Sequence, residues 1–188
     1  ADGAVAALKL LKEALHPSAE ARFVREQAAL AGVDHPGVVR LLAGGEVDGV
    51  AYLATEYLGS RSLGAPPPDL DLAAVARQLA AGLDALHAAG LLHRDVKPAN
   101  VVLAPDGRAV LIDLGMVLDP TVTALTSTGA LVGTPSYLAP ELWRGGEPTP
   151  ASDQFAWGAT CLRLLTGASP YGVEEVAGIV AGLEGYQP

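Results

Sequence analysis

The chain has 188 residues, 50% hydrophobic, with 12 Lys+Arg against 21 Asp+Glu, a formal charge of −9 and a pI near 4.8. That balance argues against nucleic-acid binding, which needs a basic face, and the lone Cys161 excludes a disulfide framework or a cysteine-based zinc site. No apolar run approaches the roughly 18 residues of a membrane span and no signal peptide opens the chain, so a cytoplasmic setting is expected.

In chain order, residues 4–12 are an apolar run centred on Lys9 after the turn signal Asp2-Gly3, and predict a strand. Ser18 is placed to cap a helix over 18–31 that carries Phe23, Leu30, Arg25 and Glu26 and stops at Gly32. After the loop His35-Pro36-Gly37, a strand is expected over 38–42. Gly44-Gly45 and Asp48-Gly49 read as turn glycines, leading into a strand over 50–55. Residues 59–69, stiffened by Pro66-Pro67-Pro68, read as a linker between a first unit (1–58) and a second (59–188).

From 70 to 89, Leu72, Val75, Ala76, Leu79, Leu83 and Leu86 recur at helical spacing, and Gly90 ends the pattern. Short strands over 101–103 and 109–112 flank the turn Pro105-Asp106-Gly107-Arg108. Residues 119–136 are rich in Thr, Ser, Gly and Pro without a period, as functional loops are. A helix is expected from Ser152, read as its N-cap, to Leu165, with Gly167 closing it and Cys161 inside as an inert core thiol. A weak helix is expected over 173–182.

Between the long helix and strand 101–103 lies His93-Arg94-Asp95-Val96-Lys97-Pro98-Ala99-Asn100. An Asp, a Lys and an Asn this close together cannot all be core groups, because buried charges need partners. Their spacing suits a short loop that presents a carboxylate, an ammonium and an amide to one cleft. The stretch resembles the catalytic loop of eukaryotic-type Ser/Thr protein kinases. The resemblance implies that Asp95 orients the acceptor hydroxyl and takes its proton, that Lys97 steadies the transferring phosphate, and that Asn100 gives an oxygen to Mg²⁺.

Other stretches are similar to the same family. Asp113-Leu114-Gly115, eighteen residues after Asp95, resembles its D-F-G element, which makes Asp113 the second metal ligand. Ala139-Pro140-Glu141 resembles the A-P-E that closes the activation segment, although Pro and Glu also suit an ordinary helix entry. Gly133-Thr134 resembles the loop that favours Ser/Thr acceptors, with Thr134 directed at Asp95 and Lys97. Thr126 and Thr128 resemble the activation-loop threonines of bacterial receptor-type kinases, and Arg94 is the residue a loop phosphate would pair with. Val5-Ala6-Ala7-Leu8-Lys9 resembles the V-A-I-K strand, which implies Lys9 on the nucleotide phosphates and Glu26 paired with Lys9. Thr55-Glu56-Tyr57-Leu58 resembles the hinge, with Thr55 as gatekeeper and backbone groups of Glu56 and Leu58 on adenine. Asp153 resembles the aspartate that braces the catalytic loop.

The pattern departs in three places: Leu114 stands where the family has Phe, no G-x-G-x-x-G precedes Lys9, and the helices that follow the Asp153 helix in the family are missing. The resemblance therefore implies a partial α+β, two-lobed kinase domain without the glycine loop or the last helices. The expected function is ATP- and Mg²⁺-dependent phosphorylation of protein Ser/Thr residues, with a dimer for trans-autophosphorylation. No nucleic-acid partner and no membrane segment are expected. The alternative is a pseudokinase-like binding module, catalytically weak because the glycine loop is missing.

Overall fold

In the computed structural model, residues 5–10, 17–114, 135–168 and 170–171 are described. The first strands form an antiparallel sheet in the order β1-β3-β2, with β1 Ala6–Leu10, β2 Leu41–Val47 and β3 Val50–Glu56. Asp48 and Gly49 join β2 to β3 with φ of 52° and 75°. Positive φ at both central residues is the turn whose twist matches a two-residue hairpin.

The β2 prediction needs two corrections. The strand begins at Leu41 and not at 38, since Val38 makes only an isolated parallel bridge to Leu111. Gly44 and Gly45 lie inside β2 and not in a turn. A Cβ at Gly44 would meet the end of the Gln27 side chain and stand 3.1 Å from Leu53 Cδ2, so Gln27 lies over this part of β2 and would have to shift for a larger residue. That helix, α1, spans Pro17–Ala31 and buries Phe23 and Leu30. It starts one residue earlier than expected. Ser18 is therefore within its first turn and Pro17, whose fixed φ suits that position, opens it.

The long helix α2, Leu72–Ala88, is capped by Asp71, whose Oδ1 accepts from Ala74 N at 2.9 Å. Its predicted stripe is the buried face: Val75, Leu79, Leu83 and Leu86, with Gly82 among them. A Cβ at Gly82 would stand 2.8 Å from Gly37 O, so here the chain after α1 lies directly on α2. Beyond α2, β4 (Val101–Leu103) and β5 (Ala109–Leu111) form a buried antiparallel pair. Leu111 N donates to Gly37 O and Val39 N to Leu111 O, both at 2.9 Å, which ties this pair to the first part of the chain.

The stretch 59–69 is fastened down rather than loose. Leu63 is buried in the core, its N–H donates to Val101 O at 2.8 Å, and Ser62 bridges Val102. Burying one leucine is worth roughly 1.5–3 kcal/mol, enough to hold such a segment in place.

Helix α3 is the short Pro140–Trp143, and α4 runs Pro150–Thr166 and packs on α2. The cap of α4 is Thr149 and not Ser152. Pro150 takes the first helical position, and Ser152 is the third residue of a reciprocal capping box with Thr149. Gly167, at φ 72°, closes the helix. Cys161 is half-buried rather than in the core, and burial pushes its thiol up, which suits an inert side chain. The helix expected over 173–182 lies outside the described residues.

Candidate active site

The loop 93–100 is built around a carboxylate sixty residues away in sequence. Asp153, 2% exposed in the first turn of α4, accepts from His93 N through Oδ2 and from Arg94 N through Oδ1, each at 2.8 Å. The same Oδ2 lies 2.9 Å from His87 Nε2 on α2. One buried acid thus locks two consecutive peptide groups and is itself held from a second helix. Asp153 therefore sits where the resemblance put it. His87 was not foreseen as its partner.

His93 is fully buried, with Nε2 3.1 Å from Ile112 O and Nδ1 accepting from Asp95 N at 3.3 Å. Burial pushes the imidazole below its ordinary value, against the pull of Asp153 and Asp95. A neutral ring with its hydrogen on Nε2 satisfies both contacts. Arg94 follows at φ 64°, a left-handed conformation costly for a residue with a Cβ. The pair of bonds from Asp153 sustains it.

Asp95 is held through one oxygen. Its Oδ2 accepts from Lys97 Nζ at 2.8 Å and from Asn100 Nδ2 at 2.7 Å. Asn100 Nδ2 also donates to Asp95 O at 2.9 Å, so its amide oxygen is the end turned away from Asp95. Ile112 N donates to Asn100 O at 2.9 Å, which brings Asn100 alongside the strand end that carries Asp113. Asp113 has φ 56°, a second strained non-glycine residue at the site.

A cavity of about 360 Å³ has Asp113 in its wall, while none of the residues 93–100 lines it. Lys9, Thr55, Glu56, Leu58, Ile112 and Asp113 are among its walls, a mostly apolar cleft that also carries the charged Lys9, Glu56 and Asp113. Lys9 Nζ reaches Asp113 Oδ1 at 3.1 Å, both groups being partly solvated at 42% and 50% exposed. Glu56 N donates to Arg40 O, so of its backbone groups only the carbonyl could serve a base in the cleft.

The expected Lys9–Glu26 pair is not formed. Glu26 Oε1 instead meets Arg94 Nη2 at 2.7 Å, with Glu26 14% and Arg94 18% exposed. The order of burial explains the choice. A cation withdrawn from water needs a counter-charge more than one that water still reaches, so Arg94 takes the carboxylate and Lys9 the exposed Asp113. Thr126, Thr128 and Thr134 lie outside the described residues.

The donor set of Asn100 and Asp113 is all oxygen, which fits Mg²⁺, an ion that takes one or two carboxylates and completes its shell with phosphates and water. No cluster of three or more His, Cys, Asp or Glu side chains able to hold a metal by themselves occurs among the described residues. Nor, among these residues, is any helix long and apolar enough to cross a membrane.

Comparison with known proteins matches residues 1–183 to the family described as protein kinase domain. Serine/threonine-protein kinase PknD of Mycobacterium tuberculosis is 35% identical over 185 residues, covering 94% of this chain and 28% of PknD. Serine/threonine-protein kinase pkn2 of Myxococcus xanthus is 36% identical over 183 residues, covering 90% of this chain and 22% of that protein. The chain thus spans about a quarter of the length of these relatives. The crystal structure of the M. tuberculosis PknI kinase domain superposes with a TM-score of 0.70 at 32% identity, over 97% of this chain and 68% of that one.

Proposed function

Because the chain belongs to the protein kinase family, we propose that it transfers the γ-phosphate of ATP to serine or threonine hydroxyls of proteins, with Mg²⁺ held by Asn100 and Asp113. The observation that carries this reading is the grip on Asp95. With Oδ2 occupied by Lys97 and Asn100, Oδ1 is left to accept the proton of an acceptor hydroxyl. The acceptor oxygen then forms its bond to phosphorus as the bond from phosphorus to the bridging oxygen breaks, and the proton ends on Asp95. Lys97 offsets charge on the transferring group, and Lys9 does so on the phosphates behind it. Bound Mg²⁺ would supply further neutralisation of the phosphate oxygens. Thr55, Glu56 and Leu58 line the end of the cleft that would receive adenine.

Phosphate on Thr126 or Thr128 would compete with Glu26 for Arg94. A phosphate, with up to two charges and three acceptor oxygens, outbids a single carboxylate oxygen. Glu26 would then be released towards Lys9, the partner the resemblance assigns it. Thr134 would favour hydroxyl acceptors of the Ser/Thr type. Dimerisation for trans-autophosphorylation and a cytoplasmic location, where ATP is supplied, complete the proposal.

The test is incubation with Mg-ATP and a generic protein substrate, followed by phosphoamino-acid analysis. Phosphoserine and phosphothreonine are expected. Transfer only to tyrosine, or none from folded protein, would contradict the proposal, and the latter result would favour a binding module.

A further inference from the structure

Away from the cleft, the turn after α1, the outer face of α2 and the turn before β5 enclose a second cavity of about 280 Å³ that shares no wall residue with the first. Its walls include His35, Arg77 and Arg108, and none of its wall residues is acidic, in a chain whose net charge is −9. Arg108 is ion-paired with Asp106 at 2.6 Å, so the cation of this wall without a counter-charge among the described residues is Arg77, with the remaining N–H donors of Arg108 and His35 beside it, a donor set that suits an anion.

The donors are arranged before any ligand arrives. Arg108 Nε is held by Asp106 Oδ2 at 2.6 Å and Nη1 by Pro36 O at 2.7 Å, which fixes the guanidinium plane and leaves Nη2 without a hydrogen-bond partner among the described residues. His35 Nδ1 accepts from Gly37 N at 3.1 Å, so a neutral ring carries its hydrogen on Nε2. Arg77 is exposed and makes no hydrogen bond or ion pair among the described residues. The floor is rigid as well. Gln78 Oε1 accepts from Ala109 N at 2.7 Å, and a Cβ at Gly37 would stand 2.9 Å from Gln78 O.

We propose that this cavity docks an acidic segment of a protein substrate, one carboxylate being seated between Arg77, Arg108 and His35. The proposal rests on the reading of the chain as a kinase for proteins. Its size, about 280 Å³, is enough for a peptide side chain or two. Substrate would be held here by charge while the cleft works on a hydroxyl elsewhere in the same polypeptide.

The test measures fluorescence anisotropy of a labelled peptide with a central Glu-Glu-Glu, beside its Gln-Gln-Gln counterpart, on the purified chain without nucleotide. The acidic peptide should bind more tightly, should weaken with salt, and should lose roughly tenfold in affinity in Arg77→Ala and more in Arg77→Glu. Arg77 is exposed and makes no hydrogen bond or ion pair among the described residues, so both variants should fold, which circular dichroism checks. Equal binding of the two peptides, or unchanged affinity in Arg77→Glu, would overturn the proposal. Tighter binding of a phosphothreonine peptide than of the Glu peptide would overturn the carboxylate assignment. Because no phosphate transfer is measured, failure here is distinguishable from failure of the kinase reading.

Discussion

Arg94 Nη2 and Glu26 Oε1 stand 2.7 Å apart, joining helix α1 to the loop that carries Asp95. The pair is single-pointed: Arg94 Nη1 and Glu26 Oε2 are buried without a hydrogen-bond partner among the described residues. It is therefore a contact with something left over on both sides, the condition for a pairing that can be exchanged.

Removing either partner should leave the other charge poorly paired. Glu26→Gln and Arg94→Gln should each cost about 2 kcal/mol in urea unfolding, and the double variant less than their sum. A coupling energy of roughly 1 kcal/mol or more is expected from the cycle. Strict additivity would mean that the two side chains do not interact in solution.

The Lys9–Asp113 pair should behave differently. Both groups are well exposed, and such pairs contribute about 0–1 kcal/mol. Lys9→Met should leave the unfolding midpoint nearly unchanged and weaken ATP binding, as read by titration calorimetry. A large loss of stability with ATP affinity intact would invert the assigned role.

Asp153 carries the opposite expectation. Asp153→Ala would strand the buried N–H of His93, the partly buried N–H of Arg94 and His87 at once. The loss should be about 3 kcal/mol, or roughly 10 °C in Tm for a chain of this size. His87→Gln, which can still donate, should cost less than His87→Leu.

The loop was legible in the sequence for a physical reason: charged and amide groups crowded between an apolar helix and an apolar strand have no stable place except a cleft. Asp153 was legible by the same resemblance. The pairing of Glu26 was not, because partner choice depends on how deeply each cation is buried once α1 is docked, and spacing along the chain carries no such depth. His87 could have been found: it lies four residues after Leu83, beside the buried stripe of α2, where a polar group needs a partner. Thr149 was also within reach, since Pro150 at the first helical position makes the residue before it the cap. Gly44 gave no signal apart from its neighbours, because its place inside β2 is set by pairing with Leu53 on β3, which spacing along the chain does not carry.

His93 makes stability depend on pH with a defined sign. Its folded pKa is lowered by burial from the ordinary 6.5, so the unfolded chain binds the proton more readily. Its contribution is present above about 6.5 and is lost as pH falls below that value. The carboxylates of Asp153, Asp95 and Asp113 face the same ring and oppose the shift. Urea midpoints should therefore fall between pH of about 6.5 and about 5, and the fall should be shallower in His93→Phe. An equal fall in that variant would assign the dependence to other groups.

The most direct measurement is the initial rate of phosphate transfer from Mg-ATP to protein by the wild-type chain and by Asp95→Asn, both at saturating nucleotide and both checked for folding. The rate should drop by roughly 10²–10⁴-fold, with ATP affinity unchanged, because Asp95 acts on the acceptor hydroxyl and not on the nucleotide. A variant that keeps its rate within a few-fold of wild type would contradict the assignment of Asp95 as the catalytic base.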